Sequence, residues 1–350
     1  MDNAGSKLRA PPQAGHFHDL DGMRGILAIV VMLFHMGSDG ILKAVSAGYF
    51  QRSLAPLCVD FFFILSGFVL FLSFAKRQPT FSEYMIKRVR RLMPLLILTT
   101  ALALCVRPEH FAILETVANF AGVASILGFR SINSPAWSVP FELFVPLAML
   151  VLLDPLTRFS NRRIVILLVL LILGGCVVSI VQANGPDWRH ARAIFGLGSG
   201  MALARLTQSL PPRQAMPWTV LSLFAFAIVI MEIAPTWPAI AALFYPISAL
   251  CIYLGSRTQT LLSTAVFQAF GRWSYSIYLL HLPVLIAIIA WSGWGSGSAQ
   301  TKALAIGLTI LLSALSYRYI ELPFMQRRTS ASTGTADASL RAPLSPDSGN

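Results

Sequence analysis

Apolar runs long enough to cross a bilayer recur from one end of this 350-residue chain to the other. A bilayer core is about 30 Å thick and takes roughly 20 apolar residues in helical form. Segments of this kind bury themselves in lipid as helices, because each N–H and C=O must then be satisfied within the segment. Composition agrees, with 55% of residues hydrophobic and 12% charged, about half the charged share of a soluble chain. No sustained period-2 alternation marks an outer-membrane barrel. The first apolar run follows a polar stretch of roughly twenty residues and holds Arg24 and His35, so it is expected to be an uncleaved first helix rather than a leader.

The expectation is an all-α, polytopic transmembrane helical bundle of about ten spans. They fall near residues 22–42, 55–75, 88–106, 136–154, 163–182, 190–207, 217–233, 237–255, 272–292 and 302–322. Residues 19–328 then form one transmembrane domain. Residues 1–18 and 329–350 are polar and Pro/Ser-rich and are expected to be disordered tails. Neither an internal repeat nor a soluble second domain is read.

The Lys and Arg positions set the orientation. With the N-terminus in the cytoplasm, 20 of the 27 basic residues fall on the cytoplasmic side. The outer side keeps only Lys43, Arg52, Arg107, Arg130, Arg189, Arg192 and Lys302. This bias puts both termini inside and requires an even number of spans. The segment 107–135 carries Arg107, Glu109, His110, Glu115 and Arg130. A span there would invert every later loop, so it is expected to be a re-entrant or surface segment on the outer side. The net charge of +12 reads as cytoplasmic loop charge, not as a nucleic-acid surface. Cys58, Cys105, Cys176 and Cys251 lie in four different apolar segments without CxxC spacing, which points to packing rather than to a metal or disulfides.

A charge at mid-membrane costs about 2.5–3.5 kcal/mol on insertion scales, so polar residues inside spans need a partner or a task. Arg24 and His35 are eleven residues apart, three turns plus roughly 20°, which puts them on one helical face about 16 Å apart in height. Lys87, Arg88, Arg90 and Arg91, with Lys76 and Arg77, form the densest basic cluster. Lipid headgroups would suit it, and so would a phosphorylated donor gripped by guanidinium groups. Ser138 and Glu142 stand at i and i+4 in PAWSVPFELF. Glu142, Asp60 and His35 fall at similar depth, a plausible proton-transfer set, although Asp60 could instead pair with Arg52. His281 in GRWSYSIYLLHLPV is as suited to a core role as to a functional one, and Glu321 in YRYIELPF closes the last span. Pro140 inside WSVPFE is expected to kink or open its helix.

Taken in order, these elements resemble the acyltransferase-3 family of membrane-bound O-acyltransferases. LDGMRGILAIVVMLFHM is similar to its first-helix motif, with an Arg and a His separated by ten residues. VDFFFILSGFVL is similar to its second-helix motif, and KRVRRLMP to its RxxR element, carried by Arg88 and Arg91. WSVPFE resembles its SxxxE element, and GRWSYSIYLLHLPV and YIELPF its closing motifs, the latter with ExP at Glu321 and Pro323. The resemblance covers residues 19 to about 328 and lacks the extracytoplasmic hydrolase-like domain of some members.

The resemblance implies an integral enzyme of the bacterial inner membrane with an acyl-CoA donor, commonly acetyl-CoA, and no metal. The acceptor is then a carbohydrate hydroxyl, reached directly or through a separate extracytoplasmic acyl-acceptor protein. In that reading Arg24, Arg88 and Arg91 hold the CoA phosphates. His35 is general base or transient acyl carrier, oriented by Glu142 or Asp60, and Ser138, His281 and Glu321 support substrate or structure. Acceptor determinants are expected in outer loops near 107–135 and 183–190. The rival readings are a secondary transporter or flippase for a polysaccharide or lipid-linked sugar, and a non-catalytic scaffold. A transporter too would bury His, Asp and Glu.

Overall fold

The computed structural model describes residues 17–36, 57–76, 78–106, 109–183, 188–211, 215–235, 237–295 and 298–326. The expected tails, Arg52 and residues 37–42 of the first expected span lie outside them, apart from Phe17 and His18. Among the described residues the secondary structure is helical throughout, without strands. The helices are α1 (His18–His35), α2 (Leu57–Lys76), α3 (Phe81–Val106), α4 (Ile113–Phe120), α5 (Val139–Arg158), α6 (Asn161–Ala183), α7 (Arg189–Ser209), α8 (Pro217–Ile233), α9 (Phe244–Gly255), α10 (Ala265–Ser292), α11 (Ala299–Ser316) and the short α12 (Leu322–Gln326).

Each of the ten expected spans falls on one of these helices. Among the described residues six stretches are long and apolar enough to cross a membrane: Leu57–Lys76, Phe81–Val106, Asn161–Ala183, Pro238–Gly255, Ala265–Ser292 and Ala299–Gln326. Pro217–Ile233 is apolar but shorter. In α1 the first two turns hold Asp19, Asp21 and Arg24, and α7 carries Arg189, Arg192 and Arg205. Polar residues in these helices therefore dilute the apolar pattern where side chains face protein instead of lipid.

Two helix pairs form the frame, and glycine decides how close each can come. On α7, Arg192, Gly196 and Gly200 recur at spacings of four and share one face. A Cβ on Gly200 would collide with the Ile64 carbonyl oxygen of α2 and fall 2.7 Å from the Phe68 nitrogen. Small residues of this kind let membrane helices meet backbone to backbone. Likewise α1 lies on α10 through Gly25, whose Cβ would fall 2.7 Å from the Gly271 nitrogen. A second, smaller apolar cluster (Ala28, Met32, Ile277, Leu280) packs this pair further along.

Prolines inside helices free carbonyls, and side chains take them up. Pro283 in α10 has no N–H for the Leu279 carbonyl one turn back. Asn133, 1% exposed, donates its Nδ2 to that oxygen at 2.8 Å. Pro146 in α5 similarly frees the Glu142 carbonyl, which accepts from the Tyr84 hydroxyl at 3.4 Å.

The segment 109–135 is no span. Its helix α4 has eight residues, about 12 Å of rise. Beyond it the chain folds on itself: Glu115 meets Arg130 at 3.3 Å, and Asn119 donates to the Arg130 carbonyl while accepting from the Ile132 N–H. The expectation that Pro140 kinks or opens its helix is corrected. Pro140 occupies the first turn of α5, after a 3₁₀ turn over Ser134–Ser138. There the missing N–H has no intrahelical partner to lose.

Candidate active site

A cavity of about 440 Å³ opens among α1, α2, α3, α5 and α10. It collects six of the nine residues singled out in the sequence: Arg24, Arg88, Arg91, Ser138, Glu142 and Glu321. Helical spacing explains the grouping. Arg88 and Arg91 are three apart on α3, so both guanidinium groups face the cavity. Ser138 and Glu142 reach it from the start of α5, where the 3₁₀ turn ends. Glu321 lies in a π-helical turn, Tyr317–Glu321, that continues α11. Such turns rotate a side chain out of its α-helical register. Glu321 is 4% exposed and accepts a hydrogen bond from the Ser276 hydroxyl of α10.

The cavity is electropositive at one end. Arg24 pairs with Asp21 at 3.5 Å, and Arg88 lies over the Tyr84 ring at 5.7 Å. Arg91 stands within electrostatic reach of Arg24, Arg88, Glu142 and Glu321. Among the described residues neither Arg88 nor Arg91 has a carboxylate within ion-pair distance. Three convergent guanidinium groups, two of them without a carboxylate at ion-pair distance among the described residues, make a ready anion site, and their fork geometry matches phosphate.

At its far end the cavity is bounded by Tyr278 and Ser138, whose hydroxyls lie 3.3 Å apart. One turn further along α10 is His281, its ring 6.3 Å from that of Tyr278. His281 is fully buried and packs against His35 of α1, ring centroids 4.9 Å apart. Each ring is held the same way. His35 Nδ1 bonds the Val31 carbonyl at 2.9 Å, and His281 Nδ1 bonds the Ile277 carbonyl at 3.0 Å. A carbonyl only accepts, so both Nδ1 atoms carry the proton and both Nε2 atoms hold the lone pair. His281 Nε2 has no hydrogen-bond partner among the described residues. His35 is partly accessible, while His281 is sealed behind it. The arrangement therefore offers two basic nitrogens at one level, one open and one enclosed.

Sequence reasoning placed His35 level with Glu142 and Asp60. The structure brings it to His281 instead. Asp60 is fully buried against Arg192, with Nε to Oδ1 at 2.8 Å and the two side chains 0% and 1% exposed. The Arg192 guanidinium also lies over the Trp137 ring at 4.7 Å, and the Tyr245 hydroxyl donates to the Arg192 carbonyl. Arg192 was read as an outer-loop charge; its share of the Gly196/Gly200 face was the available sign that it packs inward. Among the described residues no group of three His, Cys, Asp or Glu side chains could hold a metal ion.

Comparison with known proteins gives this geometry a family. A family model described as an acyltransferase domain matches residues 17–318. The chain is 24% identical over 362 residues to O-acetyltransferase OatA of Staphylococcus aureus (strain NCTC 8325 / PS 47), an alignment covering 88% of this chain and 57% of that protein. It is 23% identical over 356 residues to a protein of Staphylococcus aureus (strain COL) whose name begins "Putative O-acetyltransferase", covering 87% and 56% respectively. The chain thus spans a little over half the length of the curated relatives it matches. No solved structure matches it. With the match running from the start of α1 to the end of α11 and taking in every residue of the cavity's basic end, this chain belongs to the acyltransferase-3 family.

Proposed function

We propose that the chain is an inner-membrane O-acyltransferase of ten spans, both termini cytoplasmic, moving an acetyl group from cytoplasmic acetyl-CoA to a hydroxyl of an envelope or secreted carbohydrate. The observation that carries this reading is that α1 brings Arg24 to the anion site beside Arg88 and Arg91 of α3 and, three turns on, carries His35 against His281 of α10. Arg24, Arg88 and Arg91 take the CoA phosphates at the basic end. The pantetheine arm runs up the cavity past Tyr275 toward Tyr278, carrying the thioester the roughly 16 Å of helix between Arg24 and His35.

In this mechanism His35 Nε2 accepts the proton of the acceptor hydroxyl while its oxygen bonds to the thioester carbonyl carbon. The C–S bond then breaks, the ester leaves, and the CoA thiolate takes the proton from the His35 imidazolium. Ser138 and the Tyr278 hydroxyl are the donors nearest the thioester and would stabilise the oxyanion. Glu142 and Glu321 offset the three arginines when no donor is bound. The names of the relatives support acetyl as the group and oxygen as its acceptor.

Purified protein in vesicles, given radiolabelled acetyl-CoA outside and a glycan acceptor inside, tests the reading. It predicts label covalently attached to the luminal glycan and free CoA released in equal amount. Translocation of the glycan without label would favour a flippase and defeat the proposal.

A further inference from the structure

α1 and α10 run parallel and in register. They meet at Gly25 and Gly271, and ten residues further along each helix His35 meets His281. Arginines flank the glycine contact: Arg24 precedes Gly25, and Arg272 follows Gly271. Both line the cavity of the active site. Arg272 is thus a fourth guanidinium group of that cavity, at the level of Arg24.

From Arg272 the helix continues as a track toward the histidines. Arg272, Tyr275 and Tyr278 are three residues apart and all line the cavity, so they share one face. His281 follows at the same step, roughly 14 Å of rise beyond Arg272. Contacts of α3 fix its level against this track. The Tyr275 hydroxyl donates to the Leu92 carbonyl at 2.7 Å. Further on, Leu102 packs into the cluster of Met32 and Leu280, so α3 runs the same way as α1 and α10. Arg91 therefore lies near the level of Tyr275, and Arg88 a turn further from the histidines. The four arginines form two layers, with Arg24, Arg88 and Arg272 at the outer one and Arg91 a turn further in.

Coenzyme A carries two phosphate groups at different distances from its thioester. The diphosphate joins the pantetheine arm, and the 3′-phosphate sits on the ribose beyond it. A donor whose thioester points to the histidines puts the diphosphate inward and leaves the 3′-phosphate in the outer layer. There Arg24 is already paired with Asp21 at 3.5 Å, and Arg88 lies over the Tyr84 ring. Arg272 is exposed, and among the described residues it has no carboxylate within ion-pair distance. Its planar fork suits a phosphate monoester. From this layering we infer that Arg272 reads the 3′-phosphate of the donor, so that the site prefers CoA to 3′-dephospho-CoA. The inference rests on the donor-site reading above and adds the residue that sets its specificity.

Calorimetry of CoA and of 3′-dephospho-CoA binding to the purified full chain, in an uncharged detergent, tests it without lipid phosphate in competition. The wild type is expected to bind CoA at least tenfold more tightly than 3′-dephospho-CoA. Arg272→Gln should weaken CoA at least tenfold and leave 3′-dephospho-CoA within twofold, a result that also shows the variant to be folded. Equal loss of both ligands overturns the assignment, as does a wild type that does not discriminate. So does an unchanged affinity for CoA, the result expected of an arginine that only anchors lipid headgroups. A wild type that binds neither ligand defeats the donor site itself and this assignment with it. A wild type that binds CoA no better than Arg272→Gln does leaves the donor site standing and removes Arg272 from it.

Discussion

Replacing Arg192 with leucine removes the guanidinium against which the Asp60 carboxylate is buried, at 2.8 Å and with both side chains almost fully enclosed. Breaking one partner of a buried pair costs about 3–5 kcal/mol, because a charge stays in a low-dielectric interior. That is roughly a hundred- to several-thousandfold in the folded-to-unfolded ratio. Loss of the stacking on Trp137 adds to it. Removing both charges behaves differently, since apolar replacements of a buried pair are often neutral. Asp60→Leu/Arg192→Leu should recover at least half of the loss. Unfolding in mixed detergent micelles, followed by tryptophan fluorescence, reads both values. The reasoning fails if Arg192→Leu loses under about 1 kcal/mol, below the usual range for such a pair, or if the double variant is no more stable than the single. Activity of the folded double variant then decides the role of Asp60. Retained transfer confines Asp60 to its structural pairing with Arg192, and lost transfer restores it to the proton-transfer set read from the sequence.

The remaining predictions concern the two cavity ends and the frame. Arg88→Ala and Arg91→Ala should each raise the Kd for acetyl-CoA at least tenfold while changing the rate at saturation little; equilibrium binding with labelled donor checks this, and an unchanged Kd would remove these residues from the donor site. His281→Phe keeps the ring's bulk against His35, the only group of the pair that takes the proton, so transfer should stay close to the wild-type rate with insertion intact by protease mapping; a loss as deep as that of His35→Ala would give the His281 Nε2 a part in the proton transfer. Gly200→Val should abolish a monodisperse profile on size exclusion, because its side chain meets backbone of α2, whereas Gly307→Val, with nothing within 4 Å of its Cβ, should leave the profile unchanged.

Much of the basic cavity end was legible because its residues are close in sequence and obey helical spacing. Arg88 and Arg91, and Ser138 and Glu142, share faces by three- and four-residue steps, and the presence of the helices followed from apolar run length, although α3 and α10 each begin seven residues before the expected span. The neighbour of His35 was not legible. His281 lies 246 positions away, and the packing of α1 on α10, close at Gly25 and Gly271 and continued through Ala28, Met32, Ile277 and Leu280, brings the rings together. Asp60 went to Arg192 for the same reason: which face of α7 meets α2 is fixed by Gly196 and Gly200, a packing choice that hydropathy does not record. The place of Pro140 depended on a helix start three residues later than the expected span, a boundary that apolar composition leaves blurred.

In the proposed mechanism His35 removes the acceptor proton in an acyl transfer fed from the Arg24–Arg88–Arg91 cavity. Labelled acetyl transfer to glycan by His35→Ala, beside the wild type in the same vesicles, tests it most directly. The variant should insert, bind acetyl-CoA as the wild type does, and transfer no label above background. Transfer at the wild-type rate by a correctly inserted His35→Ala protein would contradict it.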